Sequence, residues 1–325
     1  SNMRGVFIMS NIRRRLNPAY GIAVFIIIEL LFIFVFAPLQ YYFGMLGLAL
    51  TELGLLTCTL LAVKATGQSF REVFPIRKPK FGQIMGTLLI WAGCLLLTML
   101  TTLILMYFFP EGYLQVSSSM NSVFATVPAP VRLFIVAVMP AICEEAMHRG
   151  YIQYSFQSVR SDWIIILSMG LIFGLFHMDP YRFLPTALLG IGLSYVMQKT
   201  HNIFLPALYH FINNFLSLLS SLGTSTEALE QSTELLANRS YILVSIGSYL
   251  MIGAFAPILL FAGSHLLRKA SGSLPRRTES RTVATAVVLL VLYIIMTISG
   301  LALMLFSMLK LPEMQEMIQN AEIFM

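Results

Sequence analysis

Mostly apolar stretches of about 20 residues recur along the whole chain, each ended by a short polar or proline- and glycine-containing break. A helix of about 20 residues rises roughly 30 Å, which is the thickness of a bilayer hydrocarbon core. Hydropathy and breaker residues place spans near 20–39, 43–63, 82–109, 131–157, 163–178, 181–198, 203–220, 241–267 and 283–309. The expected fold is all-α: a polytopic membrane helix bundle of about nine spans. It divides into N-terminal membrane helices (1–130), a central segment rich in ionisable residues (131–220) and C-terminal membrane helices (221–325).

Composition supports this reading, since 57% of the 325 residues are hydrophobic and 11% charged, against about 25% charged in a soluble domain. With the N-terminus in the cytoplasm, 17 of the 21 Lys and Arg residues fall in inner segments, among them Arg4, Arg13–Arg15, Arg77, Lys78, Lys80, Arg268, Lys269, Arg276 and Arg277. The outer segments keep Arg132, Arg182, Arg239 and Lys310, and collect acids such as Glu111, Glu227, Glu230, Glu234, Glu313, Glu316 and Glu322. Positive-inside asymmetry therefore sets the orientation, and the net charge of +6 needs no nucleic-acid partner; anionic lipid of the bilayer suffices. Cys58, Cys94 and Cys143 all lie in spans and indicate no disulfide framework. Ser1-Asn2 ahead of Met3 reads as an expression scar, "RKASGSLPRRTESR" from Arg268 as a flexible basic linker, and 221–240 as a polar segment able to lie on the surface.

Against this apolar background, ionisable groups inside spans are functional candidates, because a charge at the bilayer centre costs about 2.5–3.5 kcal/mol even on insertion scales. They fall into three clusters: Glu144-Glu145 with Arg149, "FGLFH" ending at His177, and "HFINN" with His210 and Asn214. Glu145 and Arg149 are four apart and share a helix face, so they can pair and lower the cost of burying both. Glu144 is turned about 100° away and stays outside that pair. His210 and Asn214 share a face of the seventh span, as Phe173 and His177 do on the fifth. The fifth span is short, so its "MDPY" turn is expected below the outer surface, with His177 about 21 Å above the inner end and level with Glu144. By the same count His210 comes out lower, which a tilt or a sunken connector at 199–202 can offset.

A desolvated glutamate hydrogen-bonded to an imidazole can take a proton from water, which then attacks a carbonyl, while His210 and Asn214 can donate to the resulting oxyanion. That chemistry is peptide-bond hydrolysis without a covalent enzyme intermediate. The segments "EEAMHRG", "FGLFHMDPYRFLPTALLGIGLSY" and "HNIFLPALYHFINN" resemble the three motifs EExxxR, FxxxH and HxxxN of the CPBP family, also called the ABI or CAAX-protease family, which includes the eukaryotic Ras-converting endoprotease. The resemblance covers roughly residues 131–216. It implies an intramembrane glutamate-dependent endopeptidase in which Glu144 and His177 activate water, His210 and Asn214 stabilise the oxyanion, and Glu145, Arg149 and Phe173 support the site. It also implies a membrane-associated protein or peptide substrate, and the chain carries no eukaryotic sorting signal, which points to a bacterial plasma membrane.

Other readings stay open at this stage. Glu144, His177 and His210 also make a sound two-histidine, one-carboxylate zinc set, but the H-E-x-x-H pair of zincins is absent and Asn214 suits an amide donor better than a metal ligand. The expectation is an enzyme without cofactor, zinc not being excluded. A non-catalytic immunity or signalling protein and a proton-relay transporter remain the other classes, and the sequence leaves the oligomeric state open. Glu29 and Glu52 qualify either as functional groups or as partners of a neighbouring helix. His148 and His265 match no motif position and read as interfacial or structural, Asp179-Pro180 as a turn, and Gly190 and Gly192 as points of close helix approach.

Overall fold

The computed structural model describes residues 16–113, 127–222, 238–274 and 279–323, and among them every regular element is a helix. Ten helices carry the architecture: α1 (Pro18–Phe43), α2 (Met45–Ala65), α3 (Phe81–Phe108), α4 (129–158), α5 (Asp162–Phe176), α6 (Pro180–Thr200), α7 (Phe204–Leu222), α8 (Arg239–Ala270), α9 (Glu279–Met308) and α10 (Pro312–Ile323). The first nine lie on the nine expected spans. The tenth was not expected from the apolar pattern, because its Glu313, Gln315, Glu316 and Gln319 make it polar; Tyr241 on α8 donates to Glu313 at 2.5 Å. Helices α1, α2, α3, α8 and residues 280–308 of α9 are long and apolar enough to cross a membrane, and α5 is a shorter apolar helix. The chain is thus a helical membrane bundle. Arg4, Arg13–Arg15, Arg276, Arg277, Glu227, Glu230, Glu234, the Ser1-Asn2 pair and most of the polar segment 221–240 lie outside the described residues.

Prolines shape the long helices. A proline has no N–H for the carbonyl four residues earlier, and in both α1 and α4 a π-helical turn precedes one: Phe32–Phe36 before Pro38, and Phe134–Val138 before Pro140. Helix α8 breaks at Ala254–Phe255, just ahead of Pro257. The tight α1–α2 hairpin turns at Gly44, whose φ of 52° only glycine adopts without strain.

Two cores hold the bundle. Ile28, Leu55, Met147, Ile152, Ile165 and Met169 bring α1, α2, α4 and α5 together. Ile90, Cys94, Phe173, Leu193, Tyr209 and Leu267 join α3, α5, α6, α7 and α8. Helix α5 contributes to both, so it forms the wall between them. The three cysteines are free thiols. The turn at Asp179 behaves as expected: its carboxylate accepts from the Tyr181 and Arg182 N–H groups and caps α6.

Gly190 is a point of close approach between α6 and α5, as its type suggested. A Cβ there would stand 2.8 Å from the Phe173 Cβ and 3.1 Å from the Gly170 Cα. Gly190→Ala is therefore expected to push the two helices apart and to cost about 1–3 kcal/mol, the usual range for overpacking. Thermal unfolding of the detergent-solubilised protein measures it, and an unchanged transition would show the contact to be slack.

Candidate active site

The central helix α4 presents Glu144 and Glu145 at the end of an α-helical stretch and His148 and Arg149 within a second π-helical stretch, Ala146–Ile152. All four are buried. A π turn widens the helix and brings side chains onto one face that regular winding would spread.

Glu145 and Arg149 form the pair expected from their spacing, with Nη1 donating to Oε1 at 3.0 Å and both side chains fully enclosed. Arg149 also donates from Nη2 to the Gly190 carbonyl of α6, 3.2 Å away. Its guanidinium carbon lies 4.4 Å from the centre of the Phe173 ring, a cation–π contact out of water. Arg149 therefore ties α4 to α5 and α6 at once.

The same Glu145 oxygen faces His210 Nδ1 at 2.8 Å. Since a carboxylate paired with a guanidinium only accepts, Nδ1 of His210 carries a proton, and its Nε2 is turned the other way, to 4.0 Å from Glu144 Oε2. His210 thus stands beside both glutamates of α4. In the connector before α7, Asn202 and Ile203 are buried while His201 is exposed, and the Ile203 N–H donates to the Pro75 carbonyl at 2.9 Å.

The two adjacent glutamates are thereby separated. Glu145 is committed to Arg149 and His210, and its side chain is 1% exposed. The Glu144 side chain keeps 11% exposure, and its Oε2 has no hydrogen-bond partner among the described residues.

His177 caps the C-terminal end of α5. Its Nδ1 faces the Phe173 carbonyl at 2.9 Å, and a carbonyl only accepts, so Nδ1 holds the proton and Nε2 is left as an acceptor. No hydrogen bond joins His177 to Glu144 among the described residues; the imidazole brought to Glu144 is that of His210. Phe173 stands between the two histidines, 5.1 Å from the His177 ring and 5.7 Å from the His210 ring, both edge-on.

Asn214 sits one turn beyond His210 on α7 and donates from Nδ2 to the Val136 carbonyl at 3.1 Å. The reason lies in α4. Val136 lies in the π-helical stretch just ahead of Pro140, where the proline's missing N–H interrupts the backbone ladder, and the Asn214 amide adds a donor to that stretch. One amide hydrogen of Asn214 anchors the helix pair and the second is left over.

Two further groups belong here. His148 is fully buried, its Nδ1 2.9 Å from the Glu144 carbonyl and its ring 5.0 Å from both Phe173 and Phe176, so it is not interfacial. Its spacing of four from Glu144 was the available signal. Glu52 of α2 is also buried, with Oε2 unpartnered, and lies close enough to Glu144 for their charges to interact. A lone carboxylate in an apolar span was its only mark in the sequence. Among the described residues, no three His, Cys, Asp or Glu side chains converge as a metal-binding group.

Comparison with known proteins gives one family: the model described as type II CAAX prenyl endopeptidase Rce1-like matches residues 126–216, which contain every motif residue above. No curated protein and no solved structure matches significantly.

Proposed function

We propose that this membrane protein is a glutamate-dependent intramembrane endopeptidase acting on a membrane-associated protein or peptide, a reading supported by the match of residues 126–216 to the type II CAAX prenyl endopeptidase Rce1-like model. The observation that carries the reading is the division of labour between adjacent carboxylates: Glu145 is spent through Oε1 on Arg149 and His210 with its side chain 1% exposed, while Glu144 stands outside both hydrogen bonds and its side chain is 11% exposed; Oε2 of each is without a hydrogen-bond partner among the described residues. In this reading Glu144 takes a proton from water, with the His177 Nε2 lone pair accepting the water's other hydrogen. The hydroxide attacks the peptide carbonyl; the C–N bond then breaks and the proton on Glu144 passes to the leaving amine. His210, its Nδ1–H held by Glu145, donates from Nε2 to the oxyanion together with the remaining Asn214 amide hydrogen. Phe173 spaces the imidazoles, and Glu145 and Arg149 fix the frame. The same proposal puts the N-terminus on the cytoplasmic side of a bacterial plasma membrane, which the distribution of Lys and Arg supports.

The test is a mass-spectrometric screen of membrane proteins and peptides exposed to wild type or to Glu144→Gln. Fragments generated by wild type alone identify the substrate; identical fragment sets from both proteins would sink the assignment.

The proposed chemistry runs without metal. A zinc version is favoured by one contact, since a carboxylate behind a histidine, as Glu145 is behind His210, is also how metal-bound imidazoles are oriented. Purified protein is expected to hold substoichiometric zinc and to keep its activity in ortho-phenanthroline. Stoichiometric zinc, with activity removed by the chelator and restored by the metal, would turn both histidines into ligands.

A further inference from the structure

A polar cavity of about 460 Å³ opens at the end of the bundle where α3 and α5 begin and α6 and α8 end. Arg77, Lys78 and Lys80 from the connector before α3 and Lys199 from the end of α6 line it, with Asp162 the acid among its lining residues. That acid is already taken: Lys199 and Gln198 both donate to Asp162. Lys80 is partly spent as well, donating to the Ala270 carbonyl at 3.0 Å. Arg77 and Lys78 keep side chains with neither ion pair nor hydrogen bond among the described residues. The charge is therefore unbalanced and converges from separate connectors.

The backbone that presents it is rigid. Asn202 brackets Arg77, accepting from its N–H at 3.1 Å and donating to its carbonyl at 2.9 Å. Burial and the neighbouring Arg77 push the His201 imidazole below its usual range, so the positive charge here comes from Arg and Lys at neutral pH. A second, larger cleft of about 590 Å³ shares Arg77, Asp162 and His201 with the first and extends inward to Gln153 and Arg149. The Gln153 Oε1 and Arg149 Nε atoms are buried without a partner.

Apolar side chains ring this opening. Ile76 precedes Arg77, Phe81 follows Lys80, Trp163 follows Asp162 and Leu274 follows Ser273, and all four are exposed. Apolar and aromatic groups beside cations at helix ends mark the depth where acyl chains meet headgroups. Scattered cations at that depth attract anionic lipid weakly and anywhere; here they are gathered in a walled cavity with the hydroxyl groups of Ser271 and Ser273.

We propose that this cavity binds the phosphate of an anionic phospholipid headgroup, with Arg77 and Lys78 as its principal cations and the acyl chains lying against the apolar rim. The site is separate from the proposed peptidase chemistry and does not depend on it.

Native mass spectrometry of the full-length protein in detergent tests it, with phosphatidylglycerol and phosphatidylcholine as probes. Wild type is expected to retain phosphatidylglycerol in preference to phosphatidylcholine. Arg77→Gln with Lys78→Gln should weaken that retention on the order of thirtyfold, from about 1 kcal/mol per removed charge. The charge-keeping pair Arg77→Lys with Lys78→Arg should restore most of it, which separates lost charge from lost fold. Lys64→Gln with Arg160→Gln, two exposed cations at the same end of the bundle, serves as control and should change it less than about threefold. Equal loss in both Gln pairs, or equal retention of the two lipids, overturns the proposal. Displacement of phosphatidylglycerol by inorganic phosphate in slight excess overturns the lipid assignment in favour of a free anion.

Discussion

Glu144→Gln is expected to lower substrate cleavage by about 10²–10⁴-fold, the range a positioned general base contributes, while folded yield stays at the wild-type level. The substitution keeps the shape of the side chain and removes only its ability to take a proton. Among the described residues Glu144 holds no ion pair with a guanidinium, and His210 Nε2 stands 4.0 Å from its Oε2. Its loss therefore strands no buried partner. Glu145→Gln should behave differently, because it weakens the hold on both Arg149 and His210, so yield and activity fall together. Cleavage by Glu144→Gln within about tenfold of wild type, on a verified substrate, would show that another group activates the water.

Arg149→Ala is expected to act on the fold. It leaves Glu145 as a buried charge without its guanidinium, at about 3–5 kcal/mol, and also removes the bond to the Gly190 carbonyl and the contact with the Phe173 ring. For a protein stabilised by about 5–15 kcal/mol, that is a fifth or more of the total, so folded yield should fall well below the wild-type level. The double variant Glu145→Gln with Arg149→Met replaces the ion pair by groups with no charge to strand and should recover much of the yield. Size-exclusion yield and unfolding temperature read both effects. A wild-type profile for Arg149→Ala alone would mean that Glu145 is neutral in the folded protein.

The relations legible in the sequence were those within one helix. Spacing of four put Glu145 with Arg149 and His210 with Asn214, and the structure keeps both arrangements. Gly190 likewise pointed to a close helix contact. Relations between helices were not legible, because they depend on how each helix is rotated about its axis. The sequence reading joined Glu144 to His177, whereas the imidazole brought near Glu144 is His210, held by Glu145 from behind. His148 matches no motif yet stands four residues from Glu144, and its burial comes from the enclosure of α4 by neighbouring helices along the whole of 143–153, a relation between helices that spacing alone does not announce. Glu52 approaches from α2, more than 90 positions upstream, where no spacing rule can reach.

The π-helical turns of α4 make the effect of a change in residue number depend on where in that helix it falls. A π turn holds one residue more than the α-helical turn it replaces. Deleting one residue within Phe134–Val138 would let that turn close to regular winding and leave Glu144 and Glu145 near their present face, the cost falling on the local bond between the Val136 carbonyl and Asn214. The same deletion within the regular stretch Met139–Glu145 would rotate everything after it by about 100° and take Arg149 off the Phe173 face. Sequences that share this site should therefore tolerate a change of one in the count ahead of Pro140 and none between Pro140 and Arg149.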